Sequence, residues 1–198
     1  SNLYLFGAQL EEGSYATSYI PNYGTAAGVT RSAETANGAG DATTFNDSEG
    51  VLMVEISALA NDGTNRQISV SNGSTTERLY FGFRTTDNEF ILSSKDSSYI
   101  IDTISDVTTF NKYAFQYKSS SFKAFVNGFD YDLTLDGGLL PTGLNTLNFD
   151  DGTGGADFYG KTKQIQYYNT ALTDSELEQL TSWISFTDMA NGQQYSIK

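Results

Sequence analysis

Cysteine and histidine are both absent from the 198 residues. Without them the chain cannot assemble a Ser-His-Asp or Cys-His triad from its own side chains. Zinc sites of the usual Cys/His kind are excluded as well, and so is a disulfide framework. The fold must therefore rest on burial and hydrogen bonding, and the missing cysteine leaves the compartment open. Basic residues are scarce, 11 Lys and Arg against 24 Asp and Glu, for a net charge of −13. Such a surface repels phosphate backbones and anionic membranes, which argues against nucleic acid as a partner. The plain role of the charge is solubility; the functional alternative is calcium held by clustered carboxylates. No apolar run nears the ~20 residues of a membrane span, so no membrane insertion is expected. No secretory leader pattern is visible. The opening Leu3-Tyr4-Leu5-Phe6 reads as a strand already under way, and the chain is expected to be a piece of a longer one.

What the chain has in quantity is Tyr and Phe, 13 of each, and 19 Gly. Aromatic residues spaced by Gly, Ser, Thr and Asn read as strands separated by turns. Residues 3–10 form one expected strand, and Pro21 restricts its neighbour to extended space. The Ala/Thr/Gly/Asn-rich stretch from Gly24 to Asp47 reads as loop, with a short strand at Val29–Glu34. Val51 to Ile56 is apolar on both faces, as an inner strand of a sandwich would be. Further strands are expected at Gln67–Ser71, Leu79–Phe83, Glu89–Ser93, Ser98–Thr103, Tyr113–Tyr117, Phe122–Val126, Phe129–Leu135, Leu144–Phe149 and Lys163–Tyr168. Asn127-Gly128 is the strongest hairpin turn in the chain. Thr173-Asp174-Ser175-Glu176 is a capping box opening one short helix, with Leu177 and Leu180 on its apolar face. About a dozen short strands at this spacing predict an all-β, two-sheet antiparallel sandwich with one short C-terminal helix.

Three segments carry a resemblance. Gly7-Ala8-Gln9-Leu10-Glu11-Glu12-Gly13, Ala16–Pro21 and Val29–Glu34 together resemble the junction segment of modular bacteriophage tail and tail-fibre proteins. Phe125-Val126-Asn127-Gly128 is similar to the hairpin of laminin-G-like domains. Ile165–Leu177 looks like the closing strand and helix of the same superfamily. The resemblance implies a concanavalin A-like jelly roll. Residues 1–28 would be the strand and connector ending a preceding module, and residues 29–198 the laminin-G/concanavalin A-like sandwich. It implies surface recognition in host attachment, with a cell-surface glycan or other host receptor as ligand and the virion tail as location. The other modules of the longer chain would be its neighbours. The alternatives are an accessory carbohydrate-binding module of a secreted, extracellular polysaccharide-degrading enzyme, or a ligand-free virion piece. An exposed strand at residues 3–10 would invite pairing into a homo-oligomer.

Three chemistries bear on these residues. Glycoside hydrolysis needs two carboxylates facing one bond. Glu55 stands alone on its strand, and Asp130 and Asp132 flank a hairpin where solvated carboxylates are ordinary, so no catalytic residue and no enzyme is expected. Calcium would draw on Asn148, Asp150, Asp151 and Asp157 around the Gly152–Gly155 run, since a flexible glycine loop can gather several oxygens. The plain alternative is a polar loop, and no other cofactor is indicated. Glycan binding would use an aromatic face beside polar groups. The candidate rings are Tyr99, Tyr131, Tyr80, Phe129 and Trp183; Tyr131, with Asp130 and Asp132 beside it, is the foremost expected site and Tyr99 the next, while Phe81, Phe83, Phe115 and Phe122 read as core and Trp183 more readily as packing at a helix end.

Overall fold

The computed structural model describes residues 10, 19, 21, 24, 36–84, 89–95, 97–101, 104, 106–119, 121–131, 133 and 139–185. The chain divides into two compact units, Ser1–Thr35 and Ala36–Lys198. Every element below belongs to the second. The strands expected at 3–10 and 29–34 fall, apart from Leu10, outside the described residues.

Ten strands lie among the described residues: β1 Glu49–Ala58, β2 Arg66–Ser71, β3 Arg78–Phe83, β4 Phe90–Ser94, β5 Ser97–Ile101, β6 Asn111–Lys118, β7 Ser121–Val126, β8 Phe129–Tyr131, β9 Thr146–Asn148 and β10 Gly160–Tyr168. One helix, α1 Asp174–Thr181, follows. They form two five-stranded sheets, β10-β1-β6-β7-β8 and β5-β4-β3-β2-β9, with every pairing antiparallel. The chain begins in the first sheet and meanders through β2–β5 in the second. It returns for β6–β8, crosses once more for β9, and closes with β10 beside β1. This is an all-β jelly-roll sandwich with a short C-terminal helix.

The double-sided apolar character of β1 has a direct cause. Leu52, Val54 and Ile56 enter the main core between the sheets. Val51 and Met53 point the other way and meet Ala114, Phe125 and the fully buried Leu177 of α1. The helix thus roofs the outer face of the first sheet. Each large apolar side chain buried in this way stabilises the fold by about 1.5–3 kcal/mol. Thr173 starts the helix: its hydroxyl accepts from the Glu176 N–H while the Glu176 carboxylate accepts from the Thr173 N–H, an arrangement contributing about 1 kcal/mol.

Aromatic rings fill the space between the sheets. Phe90 of β4 stacks on Tyr113 of β6 with centroids 3.7 Å apart, and Phe81 meets Phe115 edge-on at 6.3 Å. At the β7–β8 hairpin both turn residues have positive φ, 53° for Asn127 and 87° for Gly128. That is what a two-residue turn matching the strand twist requires. β8 is recorded over Phe129–Tyr131, shorter than expected; of residues 132–138 only Leu133 is described.

Candidate functional site

Strand register decides where the residues singled out in the sequence point. Asp130 pairs with Phe125 and Tyr131 with Ala124. Phe125 lies under α1 and Ala124 in the main core, so Asp130 faces outward and Tyr131 inward. Tyr131, expected as an exposed ring, is half-buried against the core. Tyr99 pairs with Leu92 and also faces the core, its ring centroid 6.4 Å from that of Phe122. Its hydroxyl is buried without a hydrogen-bond partner, and burial pushes the phenol up to about 12. Asp130 and the two tyrosines therefore do not converge on one surface, because alternate strand residues go to opposite faces. Asp132 lies outside the described residues.

The four residues named for calcium sit at one end of the second sheet. Asn148, on β9, accepts the Gly38 N–H at 2.8 Å and the Thr146 hydroxyl at 3.2 Å. Asp150 is buried; one oxygen accepts from the Gly152 N–H at 2.6 Å and the other from the Asn37 amide at 2.7 Å. Asp151 Oδ1 accepts the Thr153 N–H, the Thr153 hydroxyl and the Gly155 N–H. Burial pushes the Asp151 carboxyl up, but these bonds and the nearby Arg78 charge outweigh it and hold the group below its ordinary value. Asp157 accepts the Tyr159 hydroxyl at 3.2 Å. The loop carboxylates are thus turned toward donors in and around their own loop. Among the described residues no group of three or more acidic side chains is placed to hold a metal ion.

The loop that these residues shape lies against the outer face of the second sheet. The Gln67 N–H donates to the Ala156 carbonyl at 2.8 Å. A side chain at Gly152 would reach within 2.8 Å of the Ser71 hydroxyl. Ala156 itself has φ 51°, a conformation costing about 1–2 kcal/mol for a residue with a Cβ. Backbone strain of this kind collects at ligand sites.

Beneath the loop, β2 and β3 present Gln67, Ser69, Arg78 and Tyr80 outward, alternating with the core residues Ile68, Leu79 and Phe81. Arg78 is half-buried and lies 4.3 Å over the Tyr80 ring. Its Nη1 donates to the Asp151 carbonyl at 2.6 Å and to Gln67 Oε1 at 3.0 Å. Its Nε is buried with no partner, as is the Ser69 hydroxyl on β2. Arg66, Arg84, Lys95, Lys118, Lys123 and Lys163 each pair with a carboxylate. Arg78 is the one arginine among the described residues with no such pair. In a chain with 24 acidic residues, an arginine hydrogen-bonded only to neutral groups, with the Asp151 carboxylate near enough to feel its charge but not bonded to it, is suited to an outside anion. Nothing in the sequence alone marks Arg78, because ion pairing depends on strand register and on how the 150–157 loop folds.

Glu55 is buried on β1 beside Lys163 at 3.0 Å. Trp183 packs at the end of α1 with Lys112 Nζ 4.7 Å from its ring.

No family model matches the chain, and no curated protein matches it in sequence. Solved structures do share its fold. One is the Ruminococcus gnavus IT-sialidase CBM40 bound to alpha2,3 sialyllactose: TM-score 0.55, 18% identity, 74% of this chain and 93% of that one covered. The same module bound to alpha2,6 sialyllactose gives TM-score 0.56 at 17% identity, over 74% and 94%. A leech intramolecular trans-sialidase complexed with 2,7-anhydro-Neu5Ac gives TM-score 0.54 at 19% identity. There 71% of this chain matches 24% of the enzyme, so the chain spans about a quarter of that whole sialidase. At these identities the likeness is one of fold.

Proposed function

We propose that this chain is a non-catalytic glycan-binding module whose ligand is an oligosaccharide carrying an acidic sugar. The observation that supports this is Arg78, an arginine without a carboxylate partner on the outer face of the second sheet. Guanidinium groups bind carboxylates through charge-assisted N–H donors, and with Nη1 engaged twice and Nε buried, Nη2 is the donor left for a ligand. The ring of Tyr80 beneath holds the guanidinium flat, and Gln67 and the Asp151 carbonyl fix it from the side. Two of the structures sharing the fold are binding modules whose names carry sialyllactose, an acidic glycan.

An accessory role in a secreted, glycan-degrading enzyme suits the chain better than host attachment by a virion tail. The fold occurs as about a quarter of a leech trans-sialidase, whereas tail attachment is supported by the 7–34 segment alone. In an accessory role the module would keep its enzyme on an acidic glycan surface, and several weak sites acting together would gain strength through effective concentration.

The test is binding of the tetramerised chain to immobilised oligosaccharides matched in size, acidic against neutral. Retention on the acidic set that is lost in Arg78→Gln supports the proposal. Equal retention on both sets, or none on either, rejects it.

A further inference from the structure

The structure assigns a modification site at Asn72, where we infer spontaneous deamidation of the folded chain. Asparagine followed by glycine is chemically prone to it: the glycine nitrogen attacks the asparagine Cγ, ammonia leaves, and a succinimide closes. Water then opens the ring to aspartate or isoaspartate. The reaction needs only water, and it needs the side-chain amide and the next backbone nitrogen to be free to approach.

Three Asn-Gly pairs lie among the described residues, and the fold treats them differently. Asn37 is held at both ends of its amide, accepting the Phe149 N–H at 3.1 Å and donating to Asp150 at 2.7 Å. The nitrogen that would attack it, on Gly38, donates to Asn148 Oδ1 at 2.8 Å. Asn127 is held in the same way, accepting the Lys112 N–H at 3.0 Å and donating to Asn111 Oδ1 at 2.8 Å. Its following nitrogen, on Gly128, donates to the Thr181 hydroxyl at 3.1 Å. Both amides would have to break two bonds and turn before they could react.

Asn72 sits in the β2–β3 turn and is exposed, as is Gly73. Its amide makes one long bond, Nδ2 to the Thr142 carbonyl at 3.2 Å. The space around Gly73 is open, with nothing within 4 Å of where a Cβ would stand. The Gly73 N–H is held only by the neighbouring Ser71 hydroxyl at 3.1 Å, a contact within the same turn that moves with it. Conversion to an acid would replace the Nδ2 donor with an oxygen facing the Thr142 carbonyl. That removes one bond between the β2–β3 turn and the 142–145 loop, leaving those from Thr142 to Glu77 and from Asn145 to Ser71, and adds one more negative charge.

The experiment is timed incubation of the intact chain in mildly alkaline buffer, native and in denaturant, followed by tryptic mapping. Cleavage after Arg66 and Arg78 isolates residues 67–78, with Asn72 as the only asparagine. In the native chain Asn72 should convert at close to its denatured rate. Asn37 and Asn127 should be slowed about tenfold or more, because reaction there waits on local opening. Native protection of Asn72 equal to that of Asn127 would overturn the inference, as would faster loss of Asn37 than of Asn72.

Discussion

The phenolic oxygens of Tyr117 and Tyr167 lie 2.6 Å apart, one on β6 and the other on β10, either side of β1. Tyr117 donates onward to the Asn46 carbonyl at 2.5 Å, and Tyr167 accepts the Asn46 N–H at 2.8 Å. The pair ties the segment entering β1 to strands on both of its flanks. It is possible because position 50 has no side chain: a Cβ there would lie 2.7 Å from the Tyr117 oxygen and 2.8 Å from that of Tyr167. Gly50→Ala should therefore destabilise the domain by about 1–3 kcal/mol through overpacking. Chemical denaturation measures this, and an unchanged midpoint would show that the tyrosines yield freely.

The same tyrosines predict alkaline sensitivity. Burial, and then the bond from Tyr167, raise the Tyr117 phenol well above its ordinary value. Burial also raises Tyr113, and lifts Tyr99 to about 12. In the unfolded chain each would ionise near its usual value of about 10. Above that pH the unfolded state has lost protons that the folded state keeps, so stability falls as pH rises. Melting temperature should hold steady up to about pH 10 and then drop. Tyr117→Phe should lessen the drop, and a flat profile through strong alkali would contradict the burial of these hydroxyls.

The helix roof supplies a pair of substitutions of different size. Leu177 is fully buried against Met53 and Phe125, and Leu177→Ala should cost about 2–5 kcal/mol by leaving a cavity. Thr173→Ala removes only the cap and should cost about 1 kcal/mol. Equal losses in a denaturation experiment would mean that α1 contributes little packing.

Much of this fold can be read from residue order, and the reasons are local. Alternation placed β2, β3, β6 and β7 where they occur, Asn127-Gly128 makes its turn, and Thr173 and Glu176 cap their helix as the box predicts. The run 51–56 was apolar on both faces because two cores meet there. The candidate site was harder to read. Tyr131 looked exposed beside a polar hairpin, yet pairing with Ala124 turns it inward. The acids at 150, 151 and 157 read in sequence as ligands a glycine loop could gather around calcium, yet in the structure backbone and side-chain donors from nearby residues take them up. Arg78 carries no mark in the sequence, since lacking an acid partner is a property of three-dimensional surroundings.

The 150–157 loop also bears on calcium. Asp150 and Asp151 already accept N–H groups within the loop, which a bound cation would have to displace. Melting with added calcium and then with chelator should give the same midpoint. A calcium-dependent rise would mean that these carboxylates exchange their internal donors for a metal, since a ligand bound only by the folded state raises its stability.

The most direct measurement is a calorimetric titration of the chain with sialyllactose and with lactose, repeated on Arg78→Gln. Expected are measurable heat and saturation with the acidic sugar, none with the neutral one, and at least a tenfold loss in the variant, equivalent to about 1.4 kcal/mol. Its melting temperature should stay near that of the parent. Undiminished binding by Arg78→Gln, or equal binding of lactose, would contradict an acidic-glycan site on the outer face of the second sheet.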